Sequence, residues 1–167
     1  MIRTARADDI PEMQRIEVEA GRMFLTLDMG LVAGDEPLST AELLDYQRDG
    51  RAWVVADAAD RPIAYAIALF ADRVAHLEQV SVHPACAGRR LGADLVERVA
   101  GWAREQGSPA LTLTTFADVP WNAPYYERLG FRRLADDEIT PELRAIRAEE
   151  AAHGLDRWPR LAMRREL

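Results

Sequence analysis

The chain has 167 residues, 49% of them hydrophobic, which suits one domain with a sizeable core. A net charge of -7 argues against non-specific nucleic-acid binding, which needs a basic face. One cysteine, Cys86, excludes an internal disulfide and a cysteine-based zinc cluster. No apolar run approaches the roughly 20 residues that span a bilayer, and MIRTARADDI has no apolar signal core, so the expectation is a soluble cytoplasmic protein.

Ile2–Arg6 alternates and reads as a first strand. Asp8 and Asp9 are N-cap types, Pro11 suits a first helical turn, and Ile10, Met13, Ile16, Val18 and Ala20 give a helical apolar face up to Gly21. Residues 21–38 show no clear period and read as a long, partly ordered loop with room for one helical turn. Ser39-Thr40-Ala41-Glu42 has capping-box spacing and opens a short helix to about Asp49. Ala52–Asp57, Ile63–Phe70 and Ala75–Val82 are strand-like runs spaced tightly enough for antiparallel hairpins.

The next stretch, Val80–Leu95, reads VSVHPACAGRRLGADL. An apolar run ends at a proline, a glycine-bearing turn follows, and an amphipathic helix begins. Such a turn aims several backbone N–H groups at one point, and the helix N-terminus adds partial positive charge there, so the place suits a phosphate. The helix runs from about Arg89 to Gln106, with Leu91, Leu95, Val99 and Trp102 on one stripe and Gly107 as its stop. Leu111–Phe116 alternates and is expected to lie parallel to the strand before the helix. Pro124 opens a short helix through Arg128 that Gly130 ends. Phe131–Leu134 begins another strand, Pro141–His153 is helical, and Arg160–Leu167 is a closing strand. There is no internal repeat or linker, so residues 1–167 are expected to be a single domain.

This order of elements, with VSVHPACAGRRLGADL and WNAPYYERLGF in place, resembles the GNAT superfamily of acetyl-CoA-dependent N-acetyltransferases over nearly the whole chain. The resemblance implies an α/β (α+β) fold. Its twisted sheet is mixed and mostly antiparallel, flanked by helices, with a splayed parallel strand pair holding the CoA arm. The family's phosphate motif runs Gln/Arg-x-x-Gly-x-Gly/Ala. Here the six positions are Ala87, Gly88, Arg89, Arg90, Leu91 and Gly92. Ala87 and Arg90 depart from the pattern, while Gly92 matches. The resemblance implies phosphate contacts from the backbone of Gly88 to Ala93. The guanidinium of Arg89 or Arg90 is a further phosphate partner, and Arg90 supplies its N–H if its φ is ordinary. The pantetheine arm is expected to pair with backbone groups of Val80, Ser81 and Val82, as in strand addition, with an N–H near Val80 steadying the oxyanion.

An acceptor amine with a pKa of roughly 10 must lose a proton before it attacks. Glu78, on the strand beside the expected thioester, is the candidate base, directly or through water, with His76 and His83 in reserve. His83 alternatively caps the turn. Some family members carry a glutamate on the next strand, but here that stretch is Thr112-Leu113-Thr114-Thr115. Tyr126 matches the family tyrosine that protonates the leaving thiolate, and Asn122 lies near the asparagine that contacts the pantetheine arm. Phe24, Asp28, Trp53 and Trp121 are candidates to line the acceptor site. Trp158 and the added helix at Pro141–His153 are candidates for a dimer contact or for covering a sheet edge, and the final strand for pairing across subunits.

The resemblance therefore implies acetyl transfer from acetyl-CoA to a primary amine, small molecule or peptide, through a ternary complex. No metal is expected, because the three histidines are scattered and no HExxH is present. No nucleic-acid or membrane partner is expected, and a homodimer is possible. Two alternatives stay open: a non-catalytic acyl-CoA-binding or sensing module on the same fold, and an interaction domain whose CoA site has been lost.

Overall fold

Where the apolar period changes from helical to alternating, near residue 50, the chain changes from helix to strand. A computed structural model describes residues 1–167. In chain order the elements are β1 (Ile2–Thr4), α1 (Ile10–Gly21), α2 (Gly30–Ala33), α3 (Thr40–Arg48), β2 (Ala52–Ala56), β3 (Pro62–Ala71) and β4 (Val74–Val82). Then come α4 (Leu91–Glu105), β5 (Ala110–Phe116), α5 (Ala123–Arg128), β6 (Arg132–Arg133), α6 (Pro141–Ala152) and β7 (Arg160–Glu166). The seven strands form a mixed sheet in the order β1-β2-β3-β4-β5-β7-β6, with the parallel pair β4–β5 among mostly antiparallel neighbours. This is the expected fold class. No helix is long and apolar enough to cross a membrane.

The residues group into two compact units, Met1–Ala68 with Gln79–Val99, and Leu69–Glu78 with Ala100–Leu167. In the first, β1 and β3 pair antiparallel with β2 (Ile2 opposite Val55, Ala52 opposite Ile67). Ile10, Met13 and Ile16 of α1 and Leu43 of α3 pack with Ala52, Val54, Tyr65 and Ile67. Truncating a fully buried Ile16 or Leu43 to alanine costs about 2–5 kcal/mol. The capping box forms as the spacing requires. Ser39 Oγ accepts from Glu42 N at 3.1 Å, and Ser39 N donates to Glu42 Oε1 at 3.2 Å.

The stretch read as a loop is more ordered than its pattern suggests. Arg22–Leu27 is a 3₁₀ segment, followed by α2. Short-range backbone bonds close it, Asp28 N to Leu25 O at 3.2 Å and Met29 N to Phe24 O at 3.0 Å. Bonds of this kind satisfy the backbone without producing a 3.6-residue apolar period, which is why the pattern was silent.

In the second unit, Ser108 ties the start of β4 to the start of β5. Its Oγ accepts from Ala75 N at 2.9 Å and donates to Ala110 O at 2.8 Å. The parallel register places Ala75 beside Leu111 and His76 beside Thr112. β5 then pairs antiparallel with β7 from Ala110–Glu166 to Phe116–Arg160, and β7 pairs with β6. The closing strand thus has β5 along its whole length on one side and the two residues of β6 on the other.

Candidate active site

In the first unit, β4 ends at Val82 and the chain turns sharply. His83 Nδ1 accepts from Ala85 N at 3.1 Å, so this histidine caps the single 3₁₀ turn Pro84–Cys86. Gly88 follows with φ 82 and Arg90 with φ 61. A Cβ at Gly88 would meet nothing within 4 Å, so backbone conformation rather than space calls for glycine there. The φ of Arg90 is not ordinary, so the condition set for its N–H is not met. Arg90 adopts the left-handed conformation that glycine takes freely, and its carbonyl accepts from Asp94 N at 3.0 Å as α4 begins. Arg89 and Arg90 are exposed, Leu91 and Gly92 half-buried, Ala93 buried. The first N–H groups of a helix have no partner inside it, and two left-handed residues around Arg89 shape the approach to them, a donor set suited to a phosphate. On β4, Val80 and Val82 are half-buried, and buried Ser81 accepts from Gln79 Nε2 at 2.9 Å.

The second unit holds the carboxylate. Glu78 is half-buried on β4, and His76, two residues earlier on the same face, is 1% exposed. His76 Nδ1 lies 2.8 Å from Thr112 Oγ1 on β5, and its Nε2 lies 3.6 Å from Glu78 Oε2. Burial pulls the imidazole pKa down to about 4, so the ring is neutral near pH 7.

Pro124 falls in the first turn of α5, where its missing N–H costs nothing. Asn122 precedes this helix. Its Oδ1 accepts from Phe116 N at 3.4 Å, and its carbonyl accepts from Tyr126 N at 3.0 Å. The Tyr126 ring stands edge-on to Tyr125 at 5.4 Å and to Phe131 at 5.8 Å. These apolar surroundings, and then Tyr125, push its pKa above that of free tyrosine, so it stays a neutral hydroxyl donor.

The sequence reading missed a second carboxylate. β5 carries none, yet Glu150 of α6 reaches Thr114 of that strand, accepting from its Oγ1 at 2.6 Å. Arg160 of β7 donates to the same Glu150 oxygen at 3.0 Å and lies over the Phe116 ring at 4.4 Å. The signal was present in α6. Leu143, Arg147 and Glu150 fall at i, i+4 and i+7 and share one face, which buries Leu143.

The acceptor-lining candidates separate. Trp53 is 1% exposed on a strand buried at every position, which favours packing over lining. Phe24 and Trp121 are half-buried, and Asp28 is exposed in a left-handed turn at φ 58. Trp158 packs edge-on against Phe116 at 6.2 Å.

Solved structures share this fold. Rv2747 from Mycobacterium tuberculosis, solved in complex with CoA, aligns with a TM-score of 0.72 and 18% identity over 100% of this chain and 99% of that one. N-acetylglutamate synthase from Neisseria gonorrhoeae, complexed with coenzyme A and N-acetyl-glutamate, aligns at 0.72 and 18% identity, over 100% of this chain and 35% of that one. The ribosomal-protein-S18-alanine N-acetyltransferase from Escherichia coli aligns at 0.66 and 19% identity, over 99% and 92%. At these identities the likeness shows the fold. The acetyltransferase (GNAT) family model matches residues 17–131, a span that contains Glu78, the Gly88–Arg90 turn and Tyr126, and the chain belongs to that family.

Proposed function

We propose that the protein moves the acetyl group of acetyl-CoA onto a primary amine, with both substrates bound at once on one domain of residues 1–167. The carrying observation is the half-buried carboxylate of Glu78 on β4, set beside a buried neutral histidine within the family-matched segment. CoA-bound relatives of the same fold support acetyl-CoA as the donor.

The turn from Gly88 to Ala93 fits a pyrophosphate through its N–H groups and the exposed guanidinium groups of Arg89 and Arg90. Backbone groups of Val80, Ser81 and Val82 hold the extended pantetheine arm, and Asn122 contacts it further along. Glu78 takes a proton from the ammonium of the acceptor, directly or through one water, and frees the lone pair for attack on the thioester carbonyl. An N–H near Val80 steadies the oxyanion. Tyr126 then donates its hydroxyl hydrogen to the departing sulfur, where a hydrogen bond suffices without full transfer.

The test is calorimetry with acetyl-CoA, followed by release of the CoA thiol in the presence of L-glutamate, spermidine and an alanine-starting peptide. The 21 basic residues are all arginine, so the protein offers the assay no lysine amine of its own. Binding with turnover on one of these amines, lost in Glu78→Gln, supports the reading. Binding without turnover on any amine favours the non-catalytic acyl-CoA-binding module, and no binding means that Ala87 and Arg90 mark a lost site.

A further inference from the structure

His76 is the buried titratable group that the proposed mechanism leaves without a task. Its two ring nitrogens face different partners, and their chemistry fixes the ring proton. Thr112 Oγ1 lies 2.8 Å from Nδ1 and 3.5 Å from Ala75 O. A threonine hydroxyl can donate to Nδ1, or accept from it and donate to Ala75 O, so this contact fits either tautomer. The carboxylate decides between them: Glu78 Oε2 lies 3.6 Å from Nε2 and favours the ring proton there, which leaves Nδ1 to accept from Thr112. The opposite tautomer would set a ring lone pair against a carboxylate oxygen with no hydrogen between them. Burial disfavours a charged ring, which removes the imidazolium alternative.

We propose that Thr112 and His76 are positioning residues for Glu78: Thr112 supports the Nε2–H tautomer of His76 by donating to Nδ1, and that N–H holds Glu78 Oε2 so that Oε1 faces the acceptor amine. This rests on Glu78 being the base. The 3.6 Å separation lies just outside hydrogen-bond length, and a small rotation of the half-exposed carboxylate closes it. In the step itself an N–H bond of the ammonium breaks and an Oε1–H bond forms on Glu78. The Nε2–H bond stays intact throughout, and Glu78 later passes its proton to water. His76 therefore never exchanges a proton with substrate, which distinguishes it from a base held in reserve.

The test reads the tautomer directly. Nitrogen NMR of the ring-labelled full chain, with His83→Asn and His153→Asn used to assign signals, is expected to show His76 protonated at Nε2 and accepting at Nδ1. A wild-type ring protonated at Nδ1 overturns the proposal, and this measurement stands even if a variant fails to fold. Thr112→Val, which keeps the shape and removes the hydroxyl, is expected to mix the tautomers and lower kcat for thiol release about tenfold, with little change in KM for acetyl-CoA. Thr112→Ser, which keeps the hydroxyl, is expected to restore both. Wild-type kcat in Thr112→Val, with Glu78→Gln inactive, overturns the positioning role and leaves the base in place. Full turnover by Glu78→Gln overturns the base, and the positioning role with it.

Discussion

Gly88 and Arg90, two residues apart at the start of α4, both take the left-handed backbone conformation, at φ 82 and φ 61. For arginine this costs about 1 kcal/mol that glycine avoids. A strained residue on an exposed turn is explained if its side chain has work there, and the proposed phosphate site at the neighbouring helix N-terminus would supply it. Two substitutions separate strain from charge. Arg90→Gly is expected to raise stability by about 1 kcal/mol in chemical denaturation and to weaken acetyl-CoA binding several-fold in calorimetry. Arg90→Ala keeps the strain and loses the charge, so it is expected to weaken binding equally with no gain in stability. Unchanged affinity in both variants would show that the guanidinium is only solvated.

That turn also marks where the sequence stops being readable. The helix and strand limits were legible because local chemistry sets them: the Ser39–Glu42 capping box, Pro124 and Pro141 in first turns, and left-handed Gly107 just past α4. Glu78 and Tyr126 were legible as candidates because their neighbours carry a motif. The φ of Arg90 was left open, because residue type alone does not reveal a left-handed arginine. The contacts of His76 with Thr112 and of Thr114 with Glu150 each join residues 36 apart, and sheet register together with the docking of α6 creates them. Trp53 was a candidate for the acceptor site; the burial of every β2 residue favours packing instead.

Tyr126 provides a test of the leaving-group step. Tyr126→Phe is expected to lower kcat about 10- to 100-fold while leaving acetyl-CoA affinity nearly unchanged, since in the proposed mechanism the hydroxyl acts only on the developing thiolate. The raised phenol pKa adds a pH prediction. An ordinary tyrosine ionises near pH 10, whereas this one is expected to hold its proton there, so kcat should show no alkaline fall from Tyr126 up to about pH 10. A fall that vanishes in Tyr126→Phe would contradict this.

His76 makes stability depend on pH. Its folded pKa, about 4, lies below the ordinary 6.5, so between these values the unfolded chain binds a proton that the folded chain refuses. Stability therefore rises with pH across that window, and the contribution is lost as pH falls below about 6.5. The full difference is about 3 kcal/mol. Denaturant unfolding of His76→Gln at pH 4.5, 5.5 and 7 is expected to show a flatter profile than wild type. Parallel profiles would mean that His76 titrates normally.

The ion pair of Glu150 with Arg160 carries the last prediction. The Arg160 side chain is 8% exposed and that of Glu150 18%, with 3.0 Å between them. Burial lowers the Arg160 pKa and Glu150 opposes that, so the two depend on one another. Glu150→Ala leaves a buried cation over the Phe116 ring and takes away the acceptor of the Thr114 hydroxyl, and it is expected to cost about 3–5 kcal/mol. Glu150→Gln keeps an acceptor for Thr114 and Arg160 and gives up only the Arg147 contact on the other oxygen, so its cost is expected to be smaller, about 1–2 kcal/mol. Replacing the pair together, Glu150→Leu with Arg160→Met, removes both desolvated charges and is expected to be milder than Glu150→Ala alone. Thermal unfolding reads this directly, at about 2–4 °C per kcal/mol for a chain of this size. Should Glu150→Ala melt no lower than Glu149→Ala, an exposed neighbour on the same helix, the pair contributes nothing to anchoring α6 on β5.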